Sequence, residues 1–205
     1  MKLRFVLFLL ICFLGTSFSY AKEVKRLENE TPENFAKRNG PPQAELAHPV
    51  IETEAWGRGK AIIAFYETKF QRSGTTYEKV VGYIFLLQAP NSTDTYQKTL
   101  IGNFEPEGGD PKIEAVFFAN ADKDQAEELI VICSWPQSHY EVSGTLYGTY
   151  IFDNPRPGAN RLSFLKGVSK RVSGSCDCEW RDGTKKTSKY KTAASVKAGL
   201  KKLGF

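Results

Sequence analysis

Six strand-sized segments and a shorter seventh follow one another through the middle of the chain, and this succession constrains the fold more than any other feature. They are rich in β-branched and aromatic residues, and turn-forming Gly, Pro, Asn and Ser separate them. Parallel pairs need crossovers of a dozen or more residues, so such short gaps favour antiparallel pairing. The sequence predicts an α+β domain dominated by an antiparallel β meander of six to seven strands. The segments are residues 61–70, 79–88, 97–104, 112–118, 129–134, 144–152 and a shorter 161–165.

The segments that flank these strands contain predicted helices. Residues 22–55 form a polar lead-in with one short helix, because Thr31 suits the N-cap and Pro32 the first helical position. An amphipathic helix is predicted near the C-terminus, capped by Ser188 or Thr192. Its apolar stripe would pack on the sheet, so residues 56–205 are expected to form one β-rich domain with a basic C-terminal helix. The stripe consists of Ala193, Val196, Leu200 and Leu203.

Residues 1–21 have the pattern of a signal peptide. A short basic start precedes an apolar run over residues 5–14, and small residues at Ser19 and Ala21 suit cleavage after Ala21. The run is too short for a spanning helix, which needs about 20 apolar residues. Acylation at Cys12 is the other alternative, but an isoleucine precedes this cysteine where lipoprotein signals carry a small residue. We therefore expect export to the periplasm or the medium, with no transmembrane segment.

Charge is distributed unevenly along the predicted mature chain. Residues 166–205 hold 11 Lys and Arg against 3 Asp and Glu, whereas residues 22–165 hold 15 against 20. A basic segment of this kind either binds an anionic partner or forms the solvated face of a helix. The solvated face is the favoured interpretation. Predicted export and the lack of an RNA-binding signature argue against a nucleic-acid partner.

An acidic loop between two predicted strands is the best candidate for a functional site. Asn120, Asp122 and Asp124 alternate with other residues, and Glu128 comes directly before an apolar strand. This 1, 3, 5, 9 spacing points alternate oxygens at a hard cation, and the carbonyl of Ala126 would supply position 7. An ordinary acidic turn with its carboxylates in water is the alternative.

Residues 117–131 resemble the calcium loop of FG-GAP/VCBS repeats, as in integrin-type β-propellers. The resemblance implies a structural Ca²⁺ site at this loop and a propeller-blade-like sheet around it. It occurs once, so it does not extend to a whole propeller, which requires repeats at a fixed period. The sequence departs from the repeats at Gln125, where they usually have Gly, and at Lys123, which adds a positive charge.

Three cysteines remain after residue 21, namely Cys133, Cys176 and Cys178. Export permits a disulfide, and the two cysteines of the Cys-Asp-Cys sequence are too close for an unstrained bridge. A bridge from Cys133 to one of that pair is therefore expected, with one cysteine left over. A zinc site or a catalytic pair with His139 is disfavoured, because the spacings match no standard module.

The function predicted from these features is that of an exported, non-catalytic binding protein, such as an inhibitor, an immunity-type protector or an envelope adaptor. Its partner would be a protein or another envelope component, with Trp135, Tyr140 and Tyr147 as contact candidates, although packing in the core is the alternative for these side chains. A calcium-stabilised structural domain of the cell surface is a second hypothesis. A hydrolase of envelope polymers is a third, since Glu105 with Glu107, or Glu127 with Glu128, could act as paired carboxylates.

Overall fold

A computed structural model describes residues 22–56, 59–88, 94–156 and 158–205. The predicted signal peptide lies outside these residues. The described strands are β1 (Lys22–Lys25), β2 (Glu45–Leu46), β3 (Ile51–Thr53), β4 (Ala61–Arg72), β5 (Thr75–Leu87), β6 (Thr95–Phe104), β7 (Lys112–Ala119), β8 (Glu128–Ser138), β9 (Val142–Phe152), β10 (Cys176–Trp180) and β11 (Lys185–Lys186). The described helices are α1 (Pro32–Asn39), α2 (Lys166–Arg171) and α3 (Ala193–Lys202).

The strands form two antiparallel sheets. Sheet A has the order β1-β6-β5-β4-β2, and β3 also pairs with β4. Sheet B has the order β11-β10-β9-β8-β7, so that each of its strands pairs with its neighbour in the chain. The connection from β6 to β7, with two prolines and two glycines, carries the chain from one sheet to the other.

The main core lies between the sheets. Alternate residues of β4 face sheet B, and alternate residues of β8 face sheet A, as the period of two in a strand requires. Both sheets contribute large side chains that are fully buried there, among them Phe65, Phe104, Leu129 and Trp135.

Helices cover the outer face of each sheet. Phe35 of α1 is fully buried against Phe85 and Tyr96 of sheet A, with ring centroids 5.1 Å apart in both pairs. On sheet B, Val196 and Leu200 of α3 pack on the outward side chains of β8 and β9. The layers therefore follow the order α1, sheet A, sheet B, then α2 with α3.

The α+β class and the dominant antiparallel sheet are confirmed, and so is the C-terminal helix. The six long strands β4 to β9 correspond to the six predicted segments, but they divide between two sheets instead of forming one meander. Residues 161–165 form isolated bridges through Arg161 and Phe164 in place of a seventh strand. The lead-in supplies β1, β2 and β3 to sheet A. Among the described helices, none has the length and apolar character needed to cross a bilayer.

Thr31 caps the first predicted helix, and of the two caps predicted for the second, Ser188 and Thr192, the structure uses Thr192. The Thr31 side chain accepts a hydrogen bond of 3.2 Å from the backbone N–H of Asn34. At α3, Thr192 and Ser195 form a reciprocal capping box. Gly204 follows α3 with a φ of 90°, a conformation that glycine adopts without steric cost.

Candidate metal centre

The candidate site lies at one end of sheet B. β7 ends at Ala119 and β8 begins at Glu128, so residues 120–127 connect them. The pairing of Leu129 with Phe152 then places Asp153, the first residue after β9, beside the start of β8. Antiparallel pairing thus brings an aspartate from a distant part of the sequence to the acidic loop.

The acidic loop is folded by hydrogen bonds to its own side chains. The Asp122 carboxylate accepts the N–H of Asp124 at 2.8 Å, and the Asp124 carboxylate accepts the N–H of Ala126 at 2.7 Å. The amide of Asn120 donates to the carbonyl oxygen of Asp124 at 2.7 Å. Such turns closed by Asx side chains favour a tight loop with defined carboxylate positions.

Asp122, Asp124 and Asp153 could hold a metal ion, because one carboxylate oxygen of each lies within 4.8 Å of the others. Asp153 is buried, Asp122 is half-buried and Asp124 is exposed. One cation compensates this cluster directly, since Arg156 donates to Asp153 at 3.1 Å from a largely exposed position. Three carboxylates so close together repel one another and favour a bound cation.

Glu128 adds a buried carboxyl group next to this triad. Its Oε2 atom accepts the backbone N–H of Ala121, whereas its buried Oε1 atom has no hydrogen-bond partner in the described part of the chain. Burial raises the pKa of Glu128 to about 7, with further contributions from the charges of Asp122, Asp124 and Asp153. A buried carboxyl oxygen without a partner costs free energy, and a proton or a cation would remove that cost.

We call the set of Asp122, Asp124, Asp153 and Glu128 the acidic corner. All four side chains end in carboxyl groups, whose oxygens are possible metal ligands, and three of them form the triad. Hard cations such as Ca²⁺ and Mg²⁺ prefer this donor set, whereas zinc favours nitrogen and sulfur. The residues present could therefore hold a metal ion.

The structure places the five predicted ligand residues in two kinds of position. Asp122 and Asp124 belong to the triad, and Glu128 lies beside it. Asn120 donates a hydrogen bond from its side-chain amide and Ala126 from its backbone N–H within the loop, and their oxygens stay predicted ligands. Sequence analysis missed Asp153, although an acidic residue directly after a strand that pairs with the loop strand would have been the signal.

The loop that carries Asp122 and Asp124 contacts the segment that precedes β4. The indole N–H of Trp56 donates to the carbonyl oxygen of Glu127 at 2.7 Å, and its ring meets Phe118 edge-on with centroids 5.1 Å apart. The Glu127 side chain is exposed, while that of Glu128 is buried. These two carboxylates therefore face different surroundings and do not share one cleft.

The expected bridge from Cys133 to the Cys-Asp-Cys pair is not formed, because β9 lies between β8 and β10. Two strand spacings separate these strands by about 9–10 Å, beyond the reach of a disulfide. Cys176 and Cys178 are instead in close contact with each other, with Cα atoms 5.1 Å apart. Cys133 is a free thiol in the core, and burial raises its pKa to about 12.

The three aromatic contact candidates differ in exposure. Trp135 is 1% exposed and donates to the carbonyl oxygen of Glu105 at 2.8 Å, so it belongs to the core. Tyr147 packs at the outer face of sheet B beneath α3 and its preceding loop. Tyr140 is 77% exposed in the β8–β9 turn, with the guanidinium carbon of Arg181 4.2 Å from its ring centroid.

A scan against protein-family models found no match, and neither did searches of curated proteins and of solved structures. The resemblance of the loop to FG-GAP/VCBS repeats stays a prediction.

Proposed function

We propose that the protein is an exported, non-catalytic binding protein whose fold is stabilised by Ca²⁺ at the acidic corner. The observation that carries the metal assignment is the triad of Asp122, Asp124 and Asp153 beside the unpartnered Oε1 atom of Glu128. A cation there would offset the repulsion among the carboxylates and satisfy the buried oxygen.

Calcium suits this donor set better than magnesium does. Ca²⁺ accepts six to eight oxygen ligands in flexible geometry, whereas Mg²⁺ requires near-octahedral geometry and gives up its water reluctantly. Three carboxylates from two chain segments, with the carboxyl group of Glu128 beside them, match the calcium preference. Export would also place the protein where calcium is plentiful.

The proposed role of the ion is structural. The acidic corner joins the β7–β8 loop to the end of β9, and Trp56 connects the same loop to the start of sheet A. A bound ion would therefore stabilise the junction of three chain segments. The exposed ring of Tyr140 lies elsewhere on sheet B and supports the binding role as a candidate contact.

Thermal unfolding of residues 22–205 with calcium and with chelator tests the metal assignment. Extracellular calcium modules have Kd values of about 10⁻⁴–10⁻³ M, so about 5 mM Ca²⁺ should add about 1–2 kcal/mol to the free energy of unfolding. For a domain of this size that gain raises Tm by roughly 2–8 °C. The same concentration of Mg²⁺ should raise it less.

The variant Asp122→Asn with Asp124→Asn removes two charges and keeps the oxygens that accept the loop hydrogen bonds. It should lose the calcium-dependent rise in Tm. Glu127→Gln is the matched control, because its exposed side chain lies in the same loop and the change also removes one negative charge. An equal calcium response in the double variant would refute the metal assignment.

Export has its own test. Expression of the full chain in a bacterial host, followed by fractionation and N-terminal sequencing, should recover a protein outside the cytosol that begins at Lys22. Recovery of the uncleaved chain in the cytosol would refute export and leave the metal assignment untouched.

A further inference from the structure

The outermost layer on sheet B is strongly basic, and its two helices differ in this from α1, the other helix in the described part of the chain, which also carries Glu33. Helices α2 and α3 contain no acidic residue. Val172, which directly follows α2, and Val196 and Leu200 of α3 are buried against the sheet, so the opposite sides of the helices face water. The exposed cations of these two helices are Lys166, Lys170, Arg171, Lys197, Lys201 and Lys202.

The segment that leads into α3 extends this positive surface. Tyr190 packs beside Gly199 of α3, which places residues 185–191 next to the helix. Lys186 and Lys189 of this segment are exposed. We call α2, α3 and residues 185–191 together the basic layer.

Few carboxylates compensate the basic layer. Lys191 pairs with Asp177, and Lys185 pairs with Glu179 at 3.1 Å. Within the described part of the chain, the six cations of α2 and α3 form no ion pair. Their charge is therefore free to act on a partner.

The chemistry of the layer indicates what kind of partner it fits. Its apolar side chains pack against sheet B, which leaves little apolar surface to insert into a membrane. Neither α2 nor α3 has an aromatic residue, and the ring of Tyr190 packs against Gly199, so the layer offers no free ring on which nucleotide bases could stack. Five of the six helix cations are lysines, which act as point charges without the bidentate geometry of arginine.

A partner of such a surface is recognised by repeated negative charge alone. We propose that the basic layer binds an acidic polysaccharide, an inference that rests on the proposed export of the protein. The spread of lysines over two helices and a loop matches a flexible sugar chain that carries carboxylates at regular intervals. Binding of this kind weakens with salt, because mobile ions screen the attraction between exposed charges.

Binding of fluorescently labelled hyaluronate to the exported protein, in chelator and at about 50 mM salt, tests the inference. The test variant combines Lys197→Gln, Lys201→Gln and Lys202→Gln. The control combines Lys25→Gln, Lys37→Gln and Lys69→Gln, which removes the same charge from exposed positions on sheet A and α1. The test variant should bind about tenfold more weakly, and the control should stay within about twofold of the unmodified chain.

Four results would overturn the inference. They are no binding of hyaluronate, equal binding of neutral dextran, an equal loss in both triple variants, and tighter binding of duplex DNA at the same salt. The last result would favour a nucleic-acid surface, and an equal loss would reduce the effect to net charge. Thermal unfolding of each variant confirms that it is folded.

The metal assignment can fail separately. Asp122→Asn with Asp124→Asn should leave hyaluronate binding in chelator unchanged, because the acidic corner is not part of the basic layer. Loss of the calcium response with retained hyaluronate binding would therefore affect only the metal assignment.

Discussion

Sheet B carries like charge in two places, and the two differ in how the charge is held. In the acidic corner, oxygens of three aspartates lie within 4.8 Å of one another beside a buried glutamate. In the basic layer, the cations are exposed and distributed over two helices and a loop. Concentrated and buried charge needs a counterion within the protein, whereas dispersed and exposed charge is solvated and screened.

On the outer face of sheet A, by contrast, the cations of α1 are paired with nearby carboxylates. Arg38 forms two hydrogen bonds with the carboxylate of Glu30, at 2.8 and 2.7 Å, and Lys37 pairs with Glu33 at 2.6 Å. The cations of α1 are thus occupied by neighbours in their own segment. Against this background, the acidic corner and the basic layer are the regions of sheet B that we expect to interact with something outside the chain.

The largest expected effect tests whether the basic layer belongs to the folded core. Leu200 is 2% exposed and anchors α3 on sheet B. Leu200→Ala should lower the free energy of unfolding by about 4 kcal/mol, because it leaves a cavity under the helix. Denaturant unfolding measures this loss, and Leu27→Ala, at a position that is 59% exposed, should cost less than about 0.5 kcal/mol. A small loss of stability in Leu200→Ala would show that α3, and the basic layer with it, is only weakly attached to sheet B.

The second prediction concerns the acidic corner in chelator. The pKa of Glu128 rises in the fold from 4.5 to about 7, mainly through burial. The protonated carboxyl group therefore makes its full favourable contribution to the free energy of unfolding below pH 4.5. This contribution is lost as the pH rises through 7, where Glu128 ionises in the folded protein. Since each pKa unit corresponds to 1.36 kcal/mol, the loss amounts to about 3 kcal/mol.

Glu128→Gln separates this contribution from the rest of the molecule. The free energy of unfolding, measured between pH 4 and pH 8, should fall less with rising pH in this variant than in the unmodified chain. Glu127→Gln, at the exposed neighbouring position, should keep the original slope. If stability fell equally with pH in the two variants, the pKa of Glu128 would not be raised by the fold. The acidic corner would then not differ from the basic layer in the burial of its charge.

Local patterns predicted much of this architecture. The six long strands and both helix caps followed from periodicity and from Thr31 and Thr192. The division into two sheets did not, because alternation shows which residues are buried and not which strands share a sheet. The strands β1, β2 and β3 have two to four residues, too few for a detectable period.

The candidate site was predicted only as far as it is local in sequence. Asp122 and Asp124 belong to one loop and could be identified from their spacing. Asp153 joins them through the register of β8 and β9, which depends on long-range pairing. The predicted disulfide from Cys133 failed for the same reason. The strand β9 lies between Cys133 and the pair of Cys176 and Cys178, and this strand order also depends on long-range pairing.

The smallest expected effect compares the two kinds of exposed charge directly. Lys37 is paired with Glu33 one helical turn away, whereas Lys166 has Lys170 at the same spacing and lies in the first turn of its helix. Lys37→Gln should lower the free energy of unfolding by about 0.3–0.5 kcal/mol, because it breaks an attractive pair. Lys166→Gln should leave it unchanged or raise it by up to about 0.5 kcal/mol, because it relieves repulsion and removes a cation from a helix N-terminus.

Salt provides the control for this last comparison. Both effects arise from charges on exposed side chains. The difference in stability between the two variants should therefore nearly vanish at about 1 M salt, where the screening length is about 3 Å. Paired denaturant titrations at low and high salt measure it. A loss of stability in Lys166→Gln that persists at high salt would show that this lysine contributes through packing of its side-chain stem. The basic layer would then be partly a structural element, with fewer of its cations free to bind a partner.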